Sequence, residues 1–283
     1  MNRTISIITP AYKAEATVAG AVQSLMMQSF SNWQLLLVAD DGADYESVLG
    51  ALGLADRRIR YLSSGGVGTG ASATRNAGLA ACETRFAALL DADDRMASDK
   101  LDRFNTAFGE HAIVSTAIQV TDAALRPLRQ VGAGADRVLT AGQHKWVNLS
   151  MDSMIGWDRQ KTDARFDPTL PNMNDLDFLM RLYAGSATSL HLGAPLHLYV
   201  KQPSSLSNGA GMTERMIAAK TVIRQRLAAG YYPFADPGAT AGFDAFLAIS
   251  LEAERRYPAA LQARPGLLFE DHIEPLLKAA RPG

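Results

Sequence analysis

Apolar and polar positions alternate along the chain in a regular rhythm. Ile5 to Thr9 is a short apolar, β-branched run stopped by Pro10, which predicts a buried strand. Apolar residues at Val18, Val22, Leu25 and Met26 then recur at helical spacing within Thr17 to Met27. A second apolar strand, Leu35 to Ala39, ends abruptly in Asp40-Asp41-Gly42. A helix over Tyr45 to Leu54, a strand over Ile59 to Leu62 and a small-residue helix over Ala71 to Ala81 follow. Phe86 to Leu90 predicts a fourth strand, ending in Asp91-Ala92-Asp93-Asp94, and Lys100 to Phe108 a further helix. Strand and helix thus alternate four times, which predicts an α/β fold with βαβ units and a largely parallel sheet flanked by helices.

The middle third is less regular. Ile113 to Val120 and His197 to Val200 predict strands, and Leu176, Leu179 and Leu182 mark a helix over Asp175 to Tyr183. The Gly- and Ala-rich stretch from Gly132 to Gly142 predicts a mobile loop. Pro203 to Gly211 is a Ser/Gly/Asn/Pro cluster and the clearest boundary signal. Beyond it, Met216, Ile223 and Leu227 form a helical stripe ended by Gly230. A second stripe, Phe243, Phe246, Leu247, Ser250 and Leu251, is expected to end at Tyr257-Pro258.

Composition narrows the function classes. With 28 Lys plus Arg against 29 Asp plus Glu, the 283-residue chain carries a formal charge of -1. That balance argues against a protein held mainly to nucleic-acid phosphates. Hydrophobic residues at 47% and charged residues at 20% are a globular balance. Cys82, the single cysteine, excludes a disulfide framework and a Cys-rich metal site, and is expected to be buried filler. The apolar run after Met1 is too short for a signal peptide core or a membrane span. The expected setting is the reducing cytoplasm.

Ligands of parallel α/β sheets bind beyond the carboxyl ends of the strands. Asp40-Asp41 and Asp91-Ala92-Asp93-Asp94 both fall at that edge. An Asp after a strand is also an ordinary turn former or helix cap, and for Asp40 and Asp41 both readings stand. Three carboxylates within four residues, however, repel one another unless a cation or hydrogen-bond donors offset them. Hard oxygen ligands of this kind suit Mg²⁺ or Mn²⁺ bridging a carboxylate and a diphosphate.

Taken in order, Ile5-Ser-Ile-Ile-Thr-Pro-Ala-Tyr, Leu37-Val-Ala-Asp-Asp-Gly, Ala73-Thr-Arg-Asn-Ala-Gly and Leu89-Leu-Asp-Ala-Asp-Asp resemble the signature of glycosyltransferase family 2. Phe166-Asp-Pro-Thr-Leu with Asn174-Asp-Leu-Asp-Phe is similar to the family's acidic acceptor-side motif, and Tyr199 to Ser207 to its closing segment. The resemblance spans about residues 3–207. It implies a GT-A fold and an inverting transfer from a nucleotide-sugar, with UDP preferred, to a glycan or lipid-linked acceptor. It divides the chain into a catalytic domain, 1–207, and a helical extension, 208–283. Within the first, 1–100 would be the nucleotide-sugar half and 101–207 the acceptor half.

The resemblance also implies roles. Thr9, Ala11 and Tyr12, with Asp40 or Asp41, would line the nucleobase and ribose pocket, and Arg75 would reach the base or diphosphate. Asp93 would be the main contact of a divalent metal, Mn or Mg, with Asp91 beside it and toward the ribose. Asp175 would be the general base. Inversion needs one base to take the acceptor proton and one cation to offset charge on the leaving diphosphate, giving a β-linkage from an α-linked donor.

Asn174 stands where the family has an acid, and Gln202 where many relatives have a His. These departures keep a non-catalytic nucleotide-sugar-binding module in view. A nucleotidyl-type or NAD(P)-dependent enzyme is the third reading, opposed by the lack of phosphate-binding glycines in Pro10-Ala-Tyr-Lys-Ala-Glu. Gly65-Gly-Val-Gly-Thr-Gly-Ala superficially matches a dinucleotide fingerprint but is expected to be a flexible loop leading into the next helix. Trp146 and Trp157 could stack on sugar rings or fill the core. Asp177 is expected to support Asp175 or cap its helix. His191 and His197 are expected to be structural. Arg215, Lys220, Arg224 and Arg226 are expected to form a solvated cationic face, with peripheral membrane contact as the alternative.

Overall fold

The structure is a computed structural model that describes residues 3–149, 152–170, 172–201 and 211–280. The first half follows the expected rhythm: β1 (Ile5–Ala11), α1 (Val18–Met26), β2 (Trp33–Ala39), α2 (Tyr45–Ala51), β3 (Ile59–Ser63), α3 (Ala71–Ala81) and β4 (Phe86–Leu89). Then come β5 (Arg95–Met96), α4 (Lys100–Ala107), β6 (Ile113–Asp122), β7 (Pro127–Val131), β8 (Arg137–Thr140) and the one-turn α5 (His144–Val147). The remainder is β9 (Gly156–Asp158), α6 (Asn174–Leu182), β10 (Thr188–Lys201), α7 (Met212–Ala228), α8 (Ala239–Ala263) and α9 (Phe269–Ala280).

One sheet carries the order β3-β2-β1-β4-β9-β6-β10-β5, with β7 added beside β6 and β8 beside β10. The β3-β2-β1-β4 section is parallel, and so is the β6–β10 pair. Short antiparallel strands β5, β7, β8 and β9 fill in the rest. Strand alternation builds two cores. Ile8, Leu36 and Leu89 face one apolar cluster, shared with α6 and α7–α9. Ile5, Ile7, Leu35, Leu37 and Ala88 face the other, shared with α1 and α4. Gly78 lets α3 lie tight on the sheet, since a Cβ there would stand 2.7 Å from Ile8 Cγ2.

Four expectations are corrected. The Gly132 to Gly142 stretch contains β8 and a 3₁₀ turn at Ala141–Gln143, because backbone pairing with β10 orders it. β10 runs for 14 residues, far beyond the predicted His197 to Val200, with a register shift between Leu192 and His197. α8 does not end at Tyr257-Pro258 but continues through Pro258 to Ala263. The cationic face is a set of ion pairs: Lys220 is buried against Glu254, Arg224 pairs with Asp244, and Arg226 with Asp167 and Asp177. Helix pitch alone cannot show partners that sit on other elements. The predicted boundary at 207 lies outside the described residues, as does Gln202. Among the described residues, no helix is long and apolar enough to cross a membrane.

Candidate functional site

Because β1, β2, β3 and β4 are parallel, their carboxyl ends share one edge. That edge gathers Tyr12, Asp40, Asp41, the loop after β3 and the acidic run after β4. Of the three predicted donor contacts on β1 and just past it, only Tyr12 presents its side chain to solvent. Thr9 and Ala11 are buried in the strand, and the Thr9 hydroxyl has no partner.

Asp40 and Asp41 both organise loops. Asp40 is buried and accepts from Ser64 Oγ at 2.7 Å, Thr69 N at 2.9 Å, Thr69 Oγ1 at 2.5 Å and Gly70 N at 3.0 Å. Its own carbonyl accepts from Gly68 N at 2.6 Å. Burial alone would raise the Asp40 carboxyl, but these donors outweigh it and hold the group down to about 2. The glycine-rich loop therefore wraps an internal carboxylate, and its amides at Gly68, Thr69 and Gly70 are engaged by Asp40. This favours the loop reading over a dinucleotide cradle. Asp41 accepts from the main chain of Lys13 and Ala43 and from Tyr45 Oη at 2.8 Å.

Arg75, on the first turns of α3, is the centre of the site. It is buried, and its Nη2 donates to Asp91 Oδ1 at 2.5 Å. Nη1 lies 3.4 Å from Asn174 Oδ1, and the guanidinium sits 5.3 Å from the Phe166 ring centroid. Burial opposes its charge, but Asp91, Asp175 and Asp93 together more than offset that and strengthen it. Of the predicted site carboxylates, Asp91 pairs with the guanidinium directly, while Asp93 and Asp175 act on it through their charge at longer range. Asn76, one residue on, ties the same two regions by pairing with both main-chain groups of Phe166, each at 2.8 Å.

Asp93 is pushed up to about 6, first by burial and then by the neighbouring charge of Asp91. Asp91 pairs directly with Arg75, whereas Asp93 feels that guanidinium only through space, so the two carboxylates are short of positive charge. Among the described residues, no set of three acidic, His or Cys side chains could hold an ion alone. Two adjacent carboxylates still fit a divalent ion of the Mg²⁺ kind, which takes one or two protein carboxylates and completes its shell with substrate phosphates. Asp94 turns away: it is buried, accepts from His197 Nε2 at 3.0 Å and from Val200 N at 2.9 Å. Lys100 Nζ lies 2.9 Å from His197 Nδ1, so the network requires that nitrogen to accept. Burial lowers Lys100 to about 7. This buried Asp94–His197–Lys100 chain pins the acidic loop to β10, and the fourth residue of the acidic run was its only sequence signal.

Asp175 is the second residue of α6, whose cap, Met173, has a left-handed φ of 58°. Lys13, beside Tyr12, has φ 52°. Strained non-glycine backbone of this kind gathers at functional sites. Asp175 Oδ2 accepts from Asp152 N at 3.0 Å and Oδ1 from Leu176 N at 2.9 Å. Asp177 does not support Asp175. It is buried and binds Arg181, Arg226 and Tyr232, so it anchors α6 to the C-terminal helices. Trp157 is core, packed edge-on to Phe178, and Trp146 is partly buried against the same cluster. Cys82 is buried, and His191 is a structural residue bonded to Ser115 and Gly132.

A sequence profile described as "Glycosyl transferase family 2" matches residues 6–155. Over 98 residues the chain is 37% identical to the UDP-Glc:alpha-D-GlcNAc-diphosphoundecaprenol beta-1,3-glucosyltransferase WfgD of Escherichia coli, covering 35% of this chain and 38% of that protein. Over 102 residues it is 33% identical to the putative teichuronic acid biosynthesis glycosyltransferase TuaG of Bacillus subtilis, covering 35% and 39%. The chain therefore spans under two fifths of the length of these relatives. Its fold is similar to S. aureus TarS 1-349 in complex with UDP-GlcNAc, with TM-score 0.68 at 15% identity over 97% of this chain and 79% of that one. The complex of the same protein with UDP gives 0.67 at 16% identity, over 94% and 76%. The fold is thus that of the GT-A glycosyltransferases, and with more than half its length matched by the family profile the chain belongs to glycosyltransferase family 2.

Proposed function

We propose that the protein is an inverting glycosyltransferase that moves a sugar from a nucleoside-diphosphate sugar, with UDP preferred, to a hydroxyl of a glycan or lipid-linked acceptor. The observation that carries this reading is that buried Arg75 contacts both Asp91, in the acidic run after β4, and Asn174, the neighbour of Asp175 on α6. It brings a carboxylate for proton removal within one charge network of a diphosphate-binding edge. One relative named for UDP-glucose transfer to a lipid diphosphate, and a neighbour of the same fold solved in complex with UDP-GlcNAc, support the donor and acceptor classes.

In this reading Tyr12, just past the end of β1, and the Asp40–Asp41 turn line the nucleoside, with Thr9 and Ala11 buried behind them. Asp40 acts there by holding the loop rather than by touching the ligand. Arg75 binds the diphosphate side and is held in place by Asp91, Asn174 and Phe166. Asp93 and Asp91 would hold a divalent ion, Mn or Mg, which when bound neutralises charge on the leaving diphosphate. Asp175 takes the proton of the acceptor hydroxyl as its oxygen attacks the anomeric carbon and the bond to the diphosphate breaks. Attack opposite the leaving group turns an α-linked donor into a β-linked product.

The test is a thermal-shift and transfer screen of nucleotide-sugars with and without Mn²⁺, using a lipid-diphosphate-linked α-GlcNAc acceptor. The reading expects a UDP-sugar to raise the melting temperature with metal and to be consumed, and EDTA to abolish consumption. Binding without any turnover would instead support a non-catalytic module, and a larger shift with NAD(P) a dinucleotide enzyme.

A further inference from the structure

Behind Asp175 lies a buried ion pair that no chemistry described above uses. Lys145, on the one-turn α5, is 2% exposed, and its Nζ lies 3.1 Å from Asp152 Oδ1 and 3.0 Å from Oδ2. Asp152 is also 2% exposed. Burying a Lys and an Asp together costs several kcal/mol per ion before their attraction and hydrogen bonds offset it. An arrangement that costly calls for a role, and its main-chain connection supplies one. The amide N–H of the same Asp152 donates to Asp175 Oδ2 at 3.0 Å. The other Asp175 oxygen accepts from Leu176 N at 2.9 Å.

The surroundings hold the pair rigidly. Lys145 Nζ lies 5.4 Å from the Phe246 ring centroid, on α8. His144, the preceding residue, bonds through Nδ1 to Tyr183 Oη at 2.8 Å, and Tyr183 in turn donates to Ser189 Oγ at 2.8 Å. Tyr183 caps the far end of α6, the helix that carries Asp175 in its first turn. α5 is thus tied to both ends of α6: by Lys145–Asp152 at its start and by His144–Tyr183 at its finish. Burial pushes the Asp152 carboxyl up to about 7 against the pull of Lys145, and the charge of Asp175 adds to that push.

We infer that Lys145 and Asp152 are positioning residues for Asp175: their ion pair fixes the Asp152 amide that holds one carboxylate oxygen and aims the group at the acceptor. This rests on the reading of Asp175 as the base. Transfer from UDP-glucose to a lipid-diphosphate-linked α-GlcNAc, UDP affinity by calorimetry, and hydrogen exchange at the Asp152 amide together test it. Lys145→Met and Asp152→Ala are each expected to lower kcat by about tenfold or more, as misplacement of a reacting group does. UDP affinity and donor KM should hold, and the Asp152 amide should exchange faster while other core amides stay protected. Adding Lys145→Met to Asp175→Asn should cost no further activity, since no base remains to be aimed.

Several results would overturn the inference. They are folded variants with unchanged kcat and unchanged Asp152 exchange, a loss confined to donor KM, or an equal extra loss in the Asp175→Asn background. Should either variant not fold, Lys145→Arg and Asp152→Asn are read by the same exchange measurement. Full transfer by Asp175→Asn alone marks the failure of the base reading itself, separately from the positioning role.

Discussion

Asn76 pairs with Phe166 through both ends of its side-chain amide: Nδ2 donates to the Phe166 carbonyl and Oδ1 accepts from the Phe166 amide, each at 2.8 Å. Ninety residues of chain are closed by this one contact. Phe166 in turn stacks on Phe178 of α6 with ring centroids 4.0 Å apart. The α3 helix that carries Arg75 and the α6 helix that carries Asp175 are therefore referenced to each other. Asn76→Ala should remove two hydrogen bonds and cost about 1–3 kcal/mol. Urea unfolding measures that loss, and a variant as stable as the parent would show that the clamp contributes nothing.

Asp175→Asn keeps the shape of the side chain but only one of its two accepted main-chain hydrogen bonds, since an amide NH2 cannot accept, and it removes the basicity. Transfer should fall by about 100-fold or more, the range that general-base removal produces. UDP affinity by calorimetry should stay within about twofold of the parent, because Asp175 is placed on the acceptor side.

Asp93 carries a raised pKa of about 6, so its folded form holds a proton that the unfolded chain releases near the ordinary value of 3.8. A raised carboxyl contributes stability fully present below about pH 4 and lost as pH rises through about 6. Asp93→Asn should therefore raise the melting temperature at pH 7 while abolishing transfer. EDTA should abolish transfer in the parent, and excess Mn²⁺ should restore it. Full activity of Asp93→Asn in EDTA would remove the metal from the scheme.

Asp40 behaves in the opposite sense. Its pKa is lowered to about 2, so the stability it contributes is present above about pH 4 and disappears as pH falls toward 2. Asp40→Asn should flatten the acid limb of the stability profile over that window. It should also cost about 1–3 kcal/mol at pH 7. Proteolysis within Ser64 to Gly70, faster in the variant, would report the released loop.

The buried Lys220–Glu254 pair, at 2.5 Å between α7 and α8, locks the C-terminal helices together. Glu254→Gln should cost about 3–5 kcal/mol by leaving a buried ammonium without its partner charge. Lys220→Met combined with Glu254→Leu should recover most of that loss. Melting curves of the three variants and the parent decide it.

Short-range physics was readable along the chain. The apolar strands Ile5 to Thr9, Leu35 to Ala39 and Phe86 to Leu90 announce themselves because a buried parallel strand is apolar on both faces. Their acidic ends, Asp40-Asp41 and Asp91 to Asp94, mark the ligand edge because turn chemistry is local. Tertiary structure decided how those acids are used. Asp40 and Asp94 turn inward, to Thr69 and His197, while Asp91 meets Arg75, and no spacing rule separates them. Lys220, Arg224 and Arg226 looked like one solvated face until Glu254, Asp244, Asp167 and Asp177 arrived from other elements. The same holds for Lys145 and Asp152, which lie in the irregular stretch ahead of β9. Periodicity registers the burial of apolar side chains one element at a time. The partner of a buried charge comes from wherever the fold brings it, and only the assembled chain contains that information.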